Sequence, residues 1–212
     1  MPKRTPEEEK AHFESLLLRE KELRNDGYLH IAGVDEAGRG PLAGAVYAAA
    51  VILPEDIFIA GLDDSKKLSE KKREQLFDEI CEKAVAYSIA YATESEIDEI
   101  NILNATHLAM NRAVDGLSIS ADYCIVDGNS IKNMATPHET MVKGDAKSVS
   151  VAAASILAKV TRDRYITELA KEYPEYGFEK HKGYGTKAHT DAILKYGVLP
   201  IHRKSFLTKL IK

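Results

Sequence analysis

Asp35 and Glu36 are adjacent carboxylates set between an apolar run, Ile31-Ala32-Gly33-Val34, and a turn, Gly38-Arg39-Gly40-Pro41, that cannot continue an extended strand without strain. Neighbouring side chains of a regular strand point to opposite faces. Both acids therefore serve one site only if the extended geometry stops here or a backbone carbonyl stands in for one of them. The glycines permit such a departure and let backbone N–H groups approach a phosphate or sugar, and Arg39 adds a forked cationic donor suited to phosphate. A bare Asp-Glu pair is more often a solvated turn, but the full stretch GVDEAGRGPLAG from Gly33 to Gly44 weighs against that. Asp127 repeats the pattern: Cys124-Ile125-Val126 delivers an acid that is followed at once by Gly128. The alternative is an aspartate that caps its own turn. Asp145, in Lys143-Gly144-Asp145-Ala146-Lys147, precedes a helix expected from about Ser148 and is either an N-terminal cap or a fourth acid of the same site. Lys143 and Lys147 would ease the repulsion among clustered carboxylates and could hold a bound phosphate.

Four acids converging without histidine or cysteine would favour a hard divalent cation, Mg²⁺ or Mn²⁺, over zinc. Two such ions about 4 Å apart serve in-line displacement at phosphorus. The seven histidines show no ligand spacing, and Cys81 and Cys124, each among apolar neighbours, read as buried free thiols.

The elements that must position these acids are legible in outline. Strands are expected at 30–35, 45–53, 85–92 and 123–127, with another near 139–142. Ser69 can cap a helix carrying Leu76, Phe77 and Ile80; Asn104 can cap another carrying Leu108, Ala109 and Ala113 that ends at Gly116. Thr5-Pro6-Glu7-Glu8 is a capping box with proline at the first helical position, so a single N-terminal helix is expected to run to about Asn25. A short link between the first strands implies an antiparallel meander, and the later helical crossovers imply parallel pairing. The fold class is therefore α/β: a mixed sheet flanked by helices, with a helical C-terminal portion. Residues 1–27 are expected to form an accessory helix and 28–212 the main domain.

The 212 residues suffice for one substantial core. The longest apolar run, Ala43 to Leu53, is too short to cross a bilayer, and MPKRTPEEEK lacks the apolar core of a signal peptide, so a cytoplasmic protein is expected. The net charge of −4 is unevenly spread: from Met141 onward 14 Lys+Arg face 7 Asp+Glu, a net of +7, which leaves −11 before it. Lys180, Lys182 and Lys187 bracket Gly183-Tyr184-Gly185, and basic side chains around one aromatic suit backbone and sugar contact. Solvated helix faces account equally for scattered charge. Lys159 and Asp163 form an i,i+4 pair that needs no catalytic role.

Together with GVDEAGRGPLAG, the segments DDSKKLS from Asp63, IVDGN from Ile125, KGDAKS from Lys143, SILAKVTRD from Ser155, HKGYGT from His181 and HRKSF from His202 occur in the order found in ribonuclease HII, the type 2 ribonuclease H family, which the chain resembles from about Tyr28 to Phe206. That resemblance implies a ribonuclease H-like fold. It also implies two divalent ions, Mg²⁺ or Mn²⁺, held by Asp35, Glu36, Asp127 and Asp145. Water would then attack phosphorus to leave 3′-hydroxyl and 5′-phosphate ends. No protein nucleophile is required, so Ser65, Ser148 and Ser155 read as capping, packing or phosphate-contact residues. Phosphate chemistry alone cannot tell RNA from DNA, so the ribose 2′-hydroxyl must be read. The resemblance assigns that task to Gly38, Arg39, Gly40 and Tyr184, with Lys66 and Lys143 as phosphate contacts; a half-buried structural tyrosine and a solvated loop lysine are the plain alternatives for Tyr184 and Lys66. The expected partners are RNA–DNA hybrids and duplex DNA containing single ribonucleotides, met by a monomer active in ribonucleotide excision repair and DNA replication. Two other readings are a type 3 ribonuclease H, which would carry a sizeable domain ahead of its catalytic signature, and a non-catalytic nucleic-acid-binding module. Retention of all four acids opposes the latter, because clustered carboxylates repel phosphate unless metal intervenes.

Overall fold

A computed structural model describes residues 4–211. In chain order the elements are α1 (Pro6–Leu16), α2 (Leu18–Asn25), β1 (Ile31–Ala37), β2 (Val46–Ile52), α3 (Glu70–Lys83), β3 (Ala86–Ala92), α4 (Glu94–Asp115), β4 (Tyr123–Asp127), β5 (His138–Met141), α5 (Val149–Glu172), α6 (Phe178–His181) and α7 (Lys187–Tyr196). The five strands form one mixed sheet in the order β3-β2-β1-β4-β5. β1, β2 and β3 are an antiparallel meander, whereas β1–β4 and β4–β5 are parallel, as the connection lengths imply.

Each face of the sheet is covered. On one side Ala32, Val34, Val46, Ala48, Ala50, Cys124 and Val126 pack against Ile97, Ala105, Ala109 and Ala113 of α4. On the other, Ala49 and Val51 meet the alanine-rich first half of α5, together with Leu76 and Ile80 of α3 and Phe13 and Leu16 of α1. Small residues let α5 lie close. A methyl group on Gly33 would fall 2.0 Å from the carbonyl carbon of Ser150, so glycine there sets the depth at which α5 rests on β1. The closest parallel register ends at Val34 opposite Val126, which brings the next residues, Asp35 and the strand-terminal Asp127, out at one edge of the sheet.

Two expected helices differ in detail. The N-terminal segment is two helices broken at Leu17, and both are packed into the body: Phe13, Leu16, Leu17 and Leu23 are buried. The Thr5–Glu8 capping box forms as expected. Glu20 is buried as well, accepting from the Ser148 hydroxyl at 2.6 Å and the Ser150 N–H at 3.0 Å, and burial pushes its carboxyl above the usual range. The helix expected from Asn104 begins earlier, at Glu94, under a Thr93–Glu96 capping box, and after a kink inside it the cap is Asn101, not Asn104: Asn101 adopts φ 65 and its Oδ1 accepts from the N–H groups of Leu103 and Asn104. Asn104 instead donates to the Ile100 carbonyl. Either asparagine has the short side chain a cap needs, and only the kink in the backbone selects between them.

The C-terminal portion has its own cluster, built from Ile166, Tyr176, Phe178, Ala192, Ile193 and Leu207 around Ala43. It is sewn to the β1–β2 link by backbone hydrogen bonds, Leu42 N–H to Gly183 C=O, Gly44 N–H to Ile201 C=O and Arg203 N–H to Leu42 C=O, each 2.8–2.9 Å long. Among the described residues no helix is long and apolar enough to cross a membrane.

Replacing Gly33 with Ala forces α5 away from β1. Overpacking at so close a contact is expected to cost about 3 kcal/mol, read as a lower urea midpoint with an unchanged slope. An unshifted midpoint would show that α5 is not seated by this glycine.

Candidate active site

Asp35, near the end of β1, is 4% exposed and lies on the α5 side of the sheet against the Ser155 hydroxyl, which also bonds the Ser65 hydroxyl at 2.9 Å. Its Oδ1 accepts the Glu36 N–H at 2.7 Å. One carboxylate oxygen each from Asp35, Glu36 and Asp127 falls within 4.8 Å of the others. The strand does not have to end for this to happen, since β1 stays paired with β2 through Ala37; the longer Glu36 side chain reaches the shared edge from the opposite face. Asp127 Oδ1 accepts the Gly144 N–H at 2.6 Å, which ties β4 to the short 3₁₀ turn Gly144–Ala146 carrying Asp145. Asp145 lies outside the group of three, with Oδ2 3.6 Å from Lys66 Nζ. It does not cap α5, since Ser148 fills that position through its hydroxyl, which accepts the Val151 N–H.

The electrostatics follow from crowding in a dry corner. Burial first, then repulsion from Glu36 and Asp127, holds the Asp35 carboxyl well above the ordinary carboxylate range. Glu36 is raised mainly by burial, against the opposing pull of Arg39, whose guanidinium lies 3.5 Å away. Asp145 is raised by burial and by Asp64, a neighbour the sequence did not single out, while Lys66 acts in the opposite sense. For Lys66 itself burial opposes the charge, but attraction from Asp145, Asp35, Asp64 and Asp127 outweighs it and raises its pKa.

The remaining expected residues fall around this edge. Gly38 takes φ +96, and a methyl group on Gly40 would lie 3.5 Å from Tyr184 Cε1, so the glycine turn and the tyrosine ring are neighbours. Tyr184 is 45% exposed, which leaves its ring accessible beside the glycine turn. Lys143 is exposed in a left-handed conformation at the start of the Asp145 turn. Of the basic residues around Tyr184, Lys182 Nζ bonds the Thr167 hydroxyl and Lys187 pairs with Asp191, so neither ammonium is held toward the acids. Lys159 and Asp163 form the expected pair at 2.7 Å.

Two residues that sequence reasoning passed over hold the arrangement together. Arg203, fully buried, donates from Nε to the Gly44 carbonyl, from Nη1 to that of Arg39 and from Nη2 to that of Gly38. Arg162, 1% exposed, reaches from α5 to the carbonyls of Ala43 and Lys182. Burial, reinforced by Arg162, pushes the Arg203 guanidinium down to about 10. Arg162 could have been noticed because it interrupts the apolar i,i+4 stripe Ala158–Ile166, where a charge signals a specific partner.

A mixed sheet in this order, with clustered acids at the ends of its adjacent parallel strands β1 and β4, defines a ribonuclease H-like nuclease. The crystal structure of ribonuclease H2 from Pyrococcus horikoshii superimposes with a TM-score of 0.68 at 31% identity, covering 82% of this chain and 92% of that one. The chain belongs to the ribonuclease HII family, whose model matches residues 32–209. Ribonuclease HII of Acetivibrio thermocellus is 55% identical over 97% of this chain and 80% of its own length, and that of Caldicellulosiruptor saccharolyticus 55% over 91% and 94%. The protein is thus a ribonuclease H, a hydrolase that cuts RNA in RNA–DNA hybrids, and its acid cluster fits the divalent metal such enzymes need.

Because folding favours the protonated forms of Asp35, Glu36 and Asp145, the stability they contribute is complete below the ordinary carboxylate range, about pH 4, and is lost as pH rises through their raised values. With metal chelated, Asp35→Asn is therefore expected to melt higher than the parent by about 3 °C or more at pH 8, the gap closing toward pH 4. A variant no more stable at pH 8 would contradict the crowding.

Proposed function

We propose that this ribonuclease H also incises duplex DNA on the 5′ side of a single embedded ribonucleotide, using Asp35, Glu36, Asp127 and Asp145 to hold two divalent ions, Mg²⁺ or Mn²⁺. The observation that carries this reading is a cluster of three carboxylate oxygens within 4.8 Å, followed directly in the chain by a glycine turn against which an exposed tyrosine ring lies. An all-oxygen donor set without histidine or thiolate suits a hard cation. Bound there, such ions would lower the pKa of the attacking water and stabilise the departing oxygen.

The chain's own groups do the rest. Water adds to phosphorus as the bond from phosphorus to the 3′-oxygen breaks, leaving a 3′-hydroxyl on the upstream strand and a 5′-phosphate on the ribonucleotide. Tyr184 packs its ring against the sugar, while the backbone of Gly38-Arg39-Gly40 and the Tyr184 hydroxyl bond the ribose 2′-hydroxyl that DNA lacks. Arg39 beside Glu36 and Lys66 beside Asp145 place cations where phosphate oxygens enter the acid cluster, and the exposed Lys143 adds a further phosphate contact. Activity of this kind suits a cytoplasmic monomer that removes ribonucleotides left in DNA by replication.

A gel that resolves product ends tests the proposal with duplex DNA carrying one ribonucleotide, with and without Mg²⁺ or Mn²⁺. Incision is expected only with metal and only at the 5′ side of the ribonucleotide, and all-DNA duplex should survive. Asp127→Asn is expected to abolish cleavage, because asparagine keeps the shape and loses the charge. Tyr184→Ala should slow incision at the single ribonucleotide by about a hundredfold through misplacement of the scissile phosphate, while duplex binding weakens far less. Cleavage confined to runs of several ribonucleotides would defeat the reading.

A further inference from the structure

Three histidines that are scattered in sequence meet beneath the tyrosine loop. His189 and His202 are at most 1% exposed, and their Nε2 atoms are 3.1 Å apart. His181 stacks on His189 with ring centroids 4.6 Å apart and planes 15° from parallel, and Phe178 meets His189 edge-on. The partners at the outer ends of the His202–His189 pair fix where its protons sit. His202 Nδ1 faces the Leu199 N–H at 2.8 Å and can only accept there, so a neutral His202 carries its proton on Nε2. His189 Nδ1 faces the Tyr184 carbonyl at 3.0 Å and can only donate there, so a neutral His189 has a bare Nε2. The two deductions agree at the shared contact, where His202 Nε2–H donates to His189 Nε2. Burial and the neighbouring imidazoles disfavour a charge on either ring, with His202 pushed down to about 4 and His189 lowered in the same direction.

The result is a one-way chain of donors, Leu199 N–H to His202, His202 to His189, His189 to Tyr184 C=O. The Tyr184 carbonyl also accepts the Thr186 N–H at 2.8 Å, and its own N–H donates to the His181 carbonyl at 2.9 Å. A residue whose two flanking peptide groups are both held has a fixed Cα–Cβ direction, which limits how far its side chain can shift. Leu42 and Arg162 hold the carbonyls of Gly183 and Lys182, the residues just before Tyr184, whereas the hold on the carbonyl of Tyr184 itself comes from His189 and Thr186.

We infer that His189 and His202 are positioning residues for ribonucleotide recognition, acting as a tautomer-locked chain that holds the Tyr184 backbone, and through it the ring, at the distance from the glycine turn at which a ribose is read. The inference rests on the proposed role of Tyr184. Neither histidine touches substrate or metal, so their loss should leave binding largely intact and affect the turnover of the substrate that depends on exact placement of the ring.

The test has two independent arms. In the intact protein at pH 7.5, long-range ¹H–¹⁵N correlation of the imidazoles is expected to show His202 as the Nε2–H tautomer and His189 as the Nδ1–H tautomer, both neutral; the opposite tautomer or a charged ring at either position overturns the chain. In the second arm, kcat and KM are measured on duplex DNA with one ribonucleotide and on a hybrid with a continuous RNA strand. His189→Gln keeps a polar atom near the Nε2 position and removes the donor to Tyr184, whereas His189→Asn keeps a donor near the Nδ1 position. His189→Gln should lower kcat on the single ribonucleotide by about tenfold or more, with KM within about twofold and the hybrid little affected, and His189→Asn should recover most of that loss. Adding His189→Gln to Tyr184→Ala should cost nothing further, since the chain acts only through that residue. Additive losses, or equal losses on both substrates, overturn the inference. Tyr184→Ala without effect would remove the reading of Tyr184 and this role with it, whereas an effect of Tyr184→Ala but none of His189→Gln would overturn the histidine chain alone. Should His189→Gln fail to fold, His202→Asn, which keeps an acceptor for Leu199 and drops the donor to His189, replaces it with the same expected loss.

Discussion

Three carboxylate oxygens within 4.8 Å of one another at the edge of the sheet are the constraint around which this protein is organised. At that separation each fully charged pair repels by about 3 kcal/mol at an effective dielectric constant near 20, and burial adds a desolvation cost. The surroundings offset this locally. Backbone N–H groups of Glu36 and Gly144 donate to Asp35 and Asp127, the Ser155 hydroxyl faces Asp35, and Arg39 and Lys66 stand beside Glu36 and Asp145. What is left over keeps protons on Asp35, Glu36 and Asp145 more tightly than usual, and a divalent cation is the natural substitute for those protons.

Holding the acids in place requires rigid backing, and the seating of α5 on β1 supplies it. Gly33 permits the close approach, Ser148 caps the helix, and buried Glu20 of α2 grips the same helix end through Ser148 and Ser150. The N-terminal helices thus reach the site indirectly, at the helix start that follows the Asp145 turn. Arg4 and Lys67 similarly hold Asp63, next to the Asp64 and Lys66 that face Asp145, and their hydrogen bonds with that of the Asp64 N–H outweigh burial to keep the Asp63 carboxyl below its usual range.

The glycine turn and the loop that bears Tyr184 are tied to the sheet by two arginines that are buried without a carboxylate in hydrogen-bond contact. Arg203 and Arg162 satisfy backbone carbonyls on the glycine turn, on Ala43 and Gly44, and on the loop that bears Tyr184. A methyl group on Gly38 would lie 2.1 Å from Arg162 Nε, so the glycine turn and the arginine occupy each other's space. Two buried cations beneath a surface that must accept phosphate also bias the local field toward anions. The segment carrying α6 and α7 is bonded to the β1–β2 link here, and the same region sets Tyr184 against the glycine turn.

Local pattern was enough to read the strands, the order of the sheet's antiparallel and parallel parts, the Ser69 and Thr5 caps and the candidate acids Asp35, Glu36 and Asp127, because each depends on periodicity, turn residues and side-chain chemistry within a few positions. The choice between Asn101 and Asn104 as a cap was not legible, since both have the right side chain and only packing of α4 against the sheet places the kink. Nor was the convergence of Asp35 with Glu36, which depends on how far a glutamate reaches around a paired strand, nor the placing of Asp145 beside Lys66 and Asp64. Histidines at 181, 189 and 202 show no spacing in sequence because the partners that give them meaning are the carbonyl of Tyr184, the N–H of Leu199 and each other. Residue types determined what chemistry this protein can perform; long-range hydrogen bonds to backbone groups, which leave no trace in side-chain pattern, decided where each of those residues stands.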